Sequence, residues 1–153
     1  MAQAGLLWSI KRSFAAYVAR LPDGRLSLDD GVRPADGDQL YFALDAGAHD
    51  LSFAGAVRFT GHFGMLSVTI AAPSLLLDAP ELRGTMLAGL GGAERRPLVH
   101  FRCRYSDDAM RLLAGDVRLA ADAVALFGGT YGEGECFDDF EVLMPGSGEE
   151  RVQ

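Results

Sequence analysis

From Leu26 onward the apolar residues of this chain recur at every second position, in short runs broken by glycine. Leu26 and Leu28 alternate with polar neighbours, and residues 40–44 form a second such run. Leu51, Phe53, Val57 and Phe59 share one face across an irregularity at Gly55. Leu66, Val68 and Ile70 lie on one side of residues 65–71. The clearest alternation is 97–105, with Val99, Phe101, Cys103 and Tyr105 facing one way and Leu98, His100, Arg102 and Arg104 the other. A period of two sends successive side chains to opposite faces, so each run buries one face and needs another layer to bury it against. Many short strands with few helices predict a mainly β protein, an antiparallel β-sandwich or open barrel.

The exceptions to the period of two lie near the two ends. Leu6, Leu7, Ile10, Phe14, Tyr17 and Val18 recur at helical spacing, which predicts an N-terminal helix stopped by the turn Leu21-Pro22-Asp23-Gly24. Residues 120–127 read as a short C-terminal helix stopped by Gly128-Gly129. Residues 81–90 fit strand and helix equally, and 73–77 are short and apolar. Residues 46–50 read as a hairpin turn, Val117 and Leu119 as a short strand, and 137–143 as a closing strand. The length of 153 residues fits one domain over 1–145, with a polar, frayed tail at 146–153.

A net charge of −7 argues against a nucleic-acid backbone or an anionic membrane surface as the main partner. The longest basic run is Arg95-Arg96, which reads as ordinary surface charge. No apolar run is long enough to span a membrane, and neither a signal peptide nor an anchor is visible. As written the chain is expected in the cytoplasm; trimmed of export signals, it would belong outside the cell or at the cell envelope. Cys103 and Cys136 form no CxxC pattern, so the expectation for each is a small buried thiol, with one disulfide or none.

Three features bear on chemistry. Ser13 and Tyr17 are four residues apart and share a helix face, with Phe14 beside them, so a hydroxyl and a phenol can meet one ligand together. By itself such a pattern more often marks core residues. In Gly61-His62-Phe63-Gly64 a histidine is flanked by glycines, which let a backbone or a flat ligand approach closely; a plain turn is the more frequent reading. His49, in a turn, and His100, beside two arginines, have weaker claims. Phe127-Gly128-Gly129-Thr130-Tyr131 places two aromatics around a glycine pair, either as a turn on the core or as a loop over a ligand. Nucleophile-elbow, Walker, zincin and dinucleotide-binding signatures are missing, and adjacent carboxylates such as Asp107-Asp108 and Asp138-Asp139 read as solvated rather than catalytic.

Together these segments resemble the HtaA domain, the heme-transport-associated domain of actinobacterial heme-uptake proteins. Trp8-Ser-Ile-Lys-Arg-Ser13-Phe14-Ala-Ala-Tyr17 is similar to its opening motif. Val57-Arg-Phe59-Thr-Gly61-His62-Phe-Gly64-Met-Leu66, followed by Ile70-Ala-Ala-Pro73, resembles its central strand pair. Ala125-Leu-Phe127-Gly-Gly-Thr-Tyr131-Gly-Glu-Gly134 resembles its C-terminal segment, so the likeness runs nearly end to end.

The resemblance implies that Tyr17 is the axial ligand of a ferric heme b, that His62 hydrogen-bonds to it, and that Ser13 meets a heme propionate. It implies pocket walls at Phe14, Phe127 and Tyr131. The chemistry is coherent, because phenolate is a hard anionic ligand suited to ferric iron. The iron charge favours the deprotonated phenol, and a histidine partner orients it. Moving or protonating that histidine is then expected to change heme release. The expected role is heme uptake, transfer or storage without a catalysed reaction. The partners would be heme, other heme-carrier proteins or a second copy of the chain. Two alternatives stand beside it: a heme-dependent enzyme of peroxidase or heme-degrading type, and a cofactor-free β-sandwich interaction module in which Tyr17 is core.

Overall fold

In a computed structural model, which describes residues 3–45, 47, 51–78, 80–92 and 94–145, the alternating runs pair into one antiparallel sheet. Its strands are β1 (Gly5–Trp8), β2 (Arg25–Asp29), β3 (Val32–Ala35), β4 (Gln39–Ala43), β5 (Leu51–Ser52) and β6 (Ala56–Gly61), then β7 (Leu66–Asp78), β8 (Arg83–Gly89), β9 (Arg95–Tyr105), β10 (Arg111–Leu119) and β11 (Phe140–Leu143). One α-helix, α1 (Arg12–Arg20), lies between β1 and β2.

The spatial order is β2-β6-β7-β8-β9-β10-β11-β1-β4-β3, with β5 added beside β7. The strands at the two edges, β2 and β3, are consecutive in the chain and joined only by Asp30-Gly31. Two residues cannot span a flat sheet of this width, so the sheet curls until its edges face each other, giving a nearly closed barrel. The inward side is filled by Trp8, Phe42, Phe53, Phe59, Ile70, Met86, Leu112 and Val142, all buried.

Near the N-terminus the structure corrects the helical reading. Leu6 and Leu7 belong to β1, which is hydrogen-bonded on both sides, to β4 and to β11. Two ladders outweigh a helical spacing of apolar residues. The chain reverses at Ile10, which has φ 66°, and the helix begins only at Arg12. Its N-cap residue, Lys11, offers no capping side chain. The Arg12 N–H instead donates to the Asp138 carboxylate at 2.9 Å, from 126 positions further along the chain. The same segment is fastened by the Asp138 N–H donating to the Ile10 carbonyl at 2.9 Å and by the Trp8 indole N–H donating to the Asp138 carbonyl at 2.8 Å. A nine-residue helix is marginal alone, so burial of Phe14 and Val18 against the barrel contributes most of its stability.

Other boundaries shift for similar reasons. Leu98, expected on the polar face of β9, is fully buried, because the pairing of β8 with β9 is irregular between Met86 and Leu87 and turns it inward. Residues 120–127 are two 3-10 turns, Ala121–Ala123 and Ala125–Phe127, rather than an α-helix, and Gly128 in the left-handed conformation ends them. Residues 81–90 resolve as strand β8, and 73–77 continue β7 past an irregularity between Ala71 and Ser74. Both cysteines are free thiols, and neither is fully buried: Cys103 is half-buried, with burial raising its pKa, and Cys136 is exposed. Among the described residues no helix is long and apolar enough to cross a membrane. His49, most of the turn at 46–50 and the tail at 146–153 lie outside the described residues.

Candidate functional site

Helix α1 packs Phe14 and Val18 inward and leaves Ser13 and Tyr17 on its exposed side, one turn apart. The β6–β7 turn carries His62 toward this face, and the segment after β10 brings Phe127, Thr130 and Tyr131. The result is a cleft of about 370 Å³ lined by Ser13, Phe14, Tyr17, His62, Leu66, Phe127, Thr130 and Tyr131. All six residues singled out in the sequence therefore meet in one place. Leu66 and Thr130 were missed; Leu66 was legible only as a strand residue, and Thr130 sits inside the aromatic-glycine segment.

At the mouth of the cleft the Tyr17 phenol oxygen lies 2.5 Å from His62 Nε2. The phenol donates when that nitrogen is bare, and a phenolate accepts when Nε2 carries the proton. Tyr17 is 43% exposed, so the pair stands at the surface rather than in the core. Ser13 is exposed on the rim.

The floor is aromatic. Phe14 meets Phe59 and Phe127 edge-on, with ring centroids 5.0 and 5.3 Å apart. Tyr131 packs edge-on against Phe127 at 5.5 Å and Phe137 at 6.0 Å. Edge-to-face clusters of this kind add stabilisation beyond the area they bury. Behind them the Lys11 ammonium sits over the Tyr131 ring at 5.2 Å, pairs with Glu135 at 3.2 Å and donates to the Cys136 carbonyl at 2.8 Å. Burial, then the Glu135 carboxylate and Tyr17, push the Tyr131 phenol above its ordinary pKa, so it stays neutral at neutral pH.

His62 stands in a turn fixed by a residue that the sequence marked only as part of a helix stop. The Asp23 carboxylate accepts the His62 N–H at 3.1 Å and the Phe63 N–H at 2.6 Å. The Phe63 bond is the foremost cause of a lowered Asp23 pKa. His100, by contrast, is exposed on β9 and shares a 2.8 Å hydrogen bond with Thr85 Oγ1. Arg95 and Arg96 form no basic patch: Arg95 is bound to Ser74 and the Ala72 and Leu87 carbonyls, and Arg96 pairs with Glu94 and Asp122.

A larger cavity of about 660 Å³ lies along the other side of α1, over the seam between β2 and β3, lined among others by Ala15, Ala19, Leu26, Leu28, Pro34 and Leu40. Nothing like the phenol–imidazole pair lines it. Among the described residues no group of three or more His, Cys, Asp or Glu side chains is placed to hold a metal ion. The smaller cleft sets a phenol and an imidazole at the mouth of an aromatic floor. Its volume falls within the roughly 300–1,000 Å³ usual for ligand clefts.

The family model HtaA, described as "Htaa", matches residues 3–142. No curated protein matches. Among solved structures, the C-terminal domain of HtaA from Corynebacterium glutamicum superposes with a TM-score of 0.72 at 24% identity, covering 94% of this chain and 98% of that one. A domain-swapped dimer of a histidine-to-alanine variant of the same domain superposes with a TM-score of 0.61 at 21% identity, covering 87% and 92%. At these identities the structural likeness speaks for the fold.

Proposed function

The chain belongs to the HtaA family of heme-transport-associated domains, and on that premise we propose that it binds one ferric heme through the Tyr17 phenolate and passes it on. The observation that carries the reading is the Tyr17–His62 pair, 2.5 Å apart at the mouth of an aromatic cleft. A single oxygen donor cannot chelate a bare ion, whereas iron already held by a porphyrin needs only an axial ligand. The bound heme supplies that ferric centre; the chain supplies everything around it.

In this role Tyr17 is the ligand, as phenolate is among the axial donors that proteins offer heme iron. His62 donates to its oxygen, fixing its direction and moderating its basicity. Phe14, Leu66, Phe127 and Tyr131 would give the macrocycle an apolar wall, and the Ser13 and Thr130 hydroxyls would be available to a propionate. Tyr131, whose phenol is pushed further from ionisation by burial, is assigned to the wall. The half-open cleft, with Tyr17 and His62 both exposed, suits a carrier that must also let heme go.

The test is a hemin titration of the parent and of Tyr17→Ala, followed in the visible spectrum. The parent is expected to develop a high-spin ferric phenolate spectrum that the variant lacks. Identical spectra from the two would end the proposal.

A further inference from the structure

We propose that Asp23 is a positioning residue that sets His62 against Tyr17. It lies in the turn after α1, 39 positions before His62, and nothing in its local sequence marks it for more than a turn. Its two carboxylate oxygens take one backbone N–H each, from His62 and from Phe63. Both donors belong to residues with positive φ, 51° at His62 and 56° at Phe63, a conformation that side-chain-bearing residues rarely adopt.

The turn has little else to hold it. Phe63 is 94% exposed and Met65 90%, so no apolar packing pins it from above. The Met65 N–H donates to the His62 carbonyl, a bond inside the turn that leaves its tilt free. Left-handed backbone at two successive residues persists when an outside contact over-determines it, and the Asp23 carboxylate is that contact.

Gly24 makes the reach possible, and Gly61 eases it. A Cβ on Gly24 would stand 1.8 Å from the Val18 carbonyl oxygen, and one on Gly61 would stand 2.7 Å from the Leu21 side chain. Their absence lets the helix-stop turn and the end of β6 come close enough for a short acidic side chain to bridge them. Helix α1 therefore fixes both members of the pair. It carries Tyr17 directly, and through the turn at its C-terminal end it fixes the backbone from which His62 extends.

Asp108 provides an internal control. It has the same kind of bonding in the β9–β10 turn, accepting from the Met110 N–H at 3.0 Å and the Ser106 hydroxyl at 2.8 Å, and lines no part of the cleft.

The experiment uses the heme-free protein first, so that it stands apart from the heme reading. Tyrosine Cζ and histidine ring shifts, which report the hydrogen bond between the two side chains, are compared by NMR at one fixed pH in the parent, Asp23→Ala, Asp23→Asn, His62→Ala, the Asp23→Ala/His62→Ala double variant and Asp108→Ala. Circular dichroism confirms that each is folded. Asp23→Ala is expected to move the Tyr17 Cζ resonance to its position in His62→Ala, and the double variant is expected to move it no further. Asp23→Asn keeps one acceptor and should fall between, which preserves the test if the alanine variant unfolds. Asp108→Ala should match the parent. A parental Tyr17 Cζ resonance in Asp23→Ala and Asp23→Asn would overturn the proposal. So would additive effects in the double variant, or a His62→Ala protein in which the Tyr17 resonance stays where it was. A second readout rests on the proposed function: hemin transfer from Asp23→Ala to a globin apoprotein should be as fast as from His62→Ala. If no variant binds hemin, the heme reading fails while the resonance positions still decide the role of Asp23.

Discussion

Helix α1 separates two cavities of different character. On one side is the larger, about 660 Å³, where the barrel edges meet, walled by alanines, leucines and a proline with Arg12, Arg25, Asp38 and Gln39 among them and no aromatic hydroxyl or imidazole. On the other is the smaller, about 370 Å³, with two phenols, an imidazole and two aliphatic hydroxyls set against aromatic rings. The larger cavity follows from the fold: a sheet whose edges face each other without a shared ladder leaves a gap, and small side chains on the helix leave it unfilled. The smaller one is assembled from three distant segments and stabilised by contacts outside itself. Size favours one side of the helix; convergent polar groups in an apolar setting favour the other, and the proposed function rests on the second criterion.

That contrast can be broken by exchanging the character of its two sides. The largest effect is expected from Tyr17→Phe, which removes one oxygen and leaves the shape of the cleft. Its hemin spectrum should lose the phenolate signature, and retention of that signature would move the ligand elsewhere. Phe14→Ala is next, because Phe14 is 4% exposed and joins the cleft floor to the barrel core. Loss of a buried phenylalanine costs about 3–5 kcal/mol, read as a lowered denaturation midpoint.

Asp138→Ala tests whether the helix between the cavities is capped from afar, and should cost about 0.5–2 kcal/mol, the range for losing an N-cap. Tyr131→Phe should leave the hemin spectrum unchanged at neutral pH, since the phenol there is neutral. The sign of its alkaline effect is fixed. A folded-state pKa raised above the unfolded value of about 10 means that stability falls as pH rises past that value, so the variant should lose less stability there than the parent. The smallest effect belongs to Ala19→Leu, on the seam side. It should leave hemin binding untouched and shift stability by no more than about 0.5 kcal/mol. Weakened hemin binding would show that the two cavities communicate through the helix.

Legibility followed the range of the forces involved. The alternation at Val57 and Phe59 and at Val99 and Phe101 is a local pattern that strand geometry requires, and those runs appear as β6 and β9. Leu6 and Leu7 misled because their partners, in β4 and β11, are far away in sequence. Leu98 misled because one irregularity in pairing reverses which face a residue occupies. Of the cleft, Ser13, Phe14, Tyr17, His62, Phe127 and Tyr131 were marked by their motifs; Asp23 was not, since a carboxylate in a turn carries no sign of what it will bind.

The sequence by itself determined the period of the strands, the presence of a helix bearing Ser13 and Tyr17 on one side, and the family to which these residues point. The tertiary structure alone decided that Tyr17 and His62 meet, that Asp138 starts the helix and that Asp23 holds the histidine turn. The physical reason is separation along the chain. Side-chain periodicity is set by neighbours a few residues apart, whereas these three contacts join residues 45, 126 and 39 positions apart, and only closure of the barrel brings them within hydrogen-bonding reach.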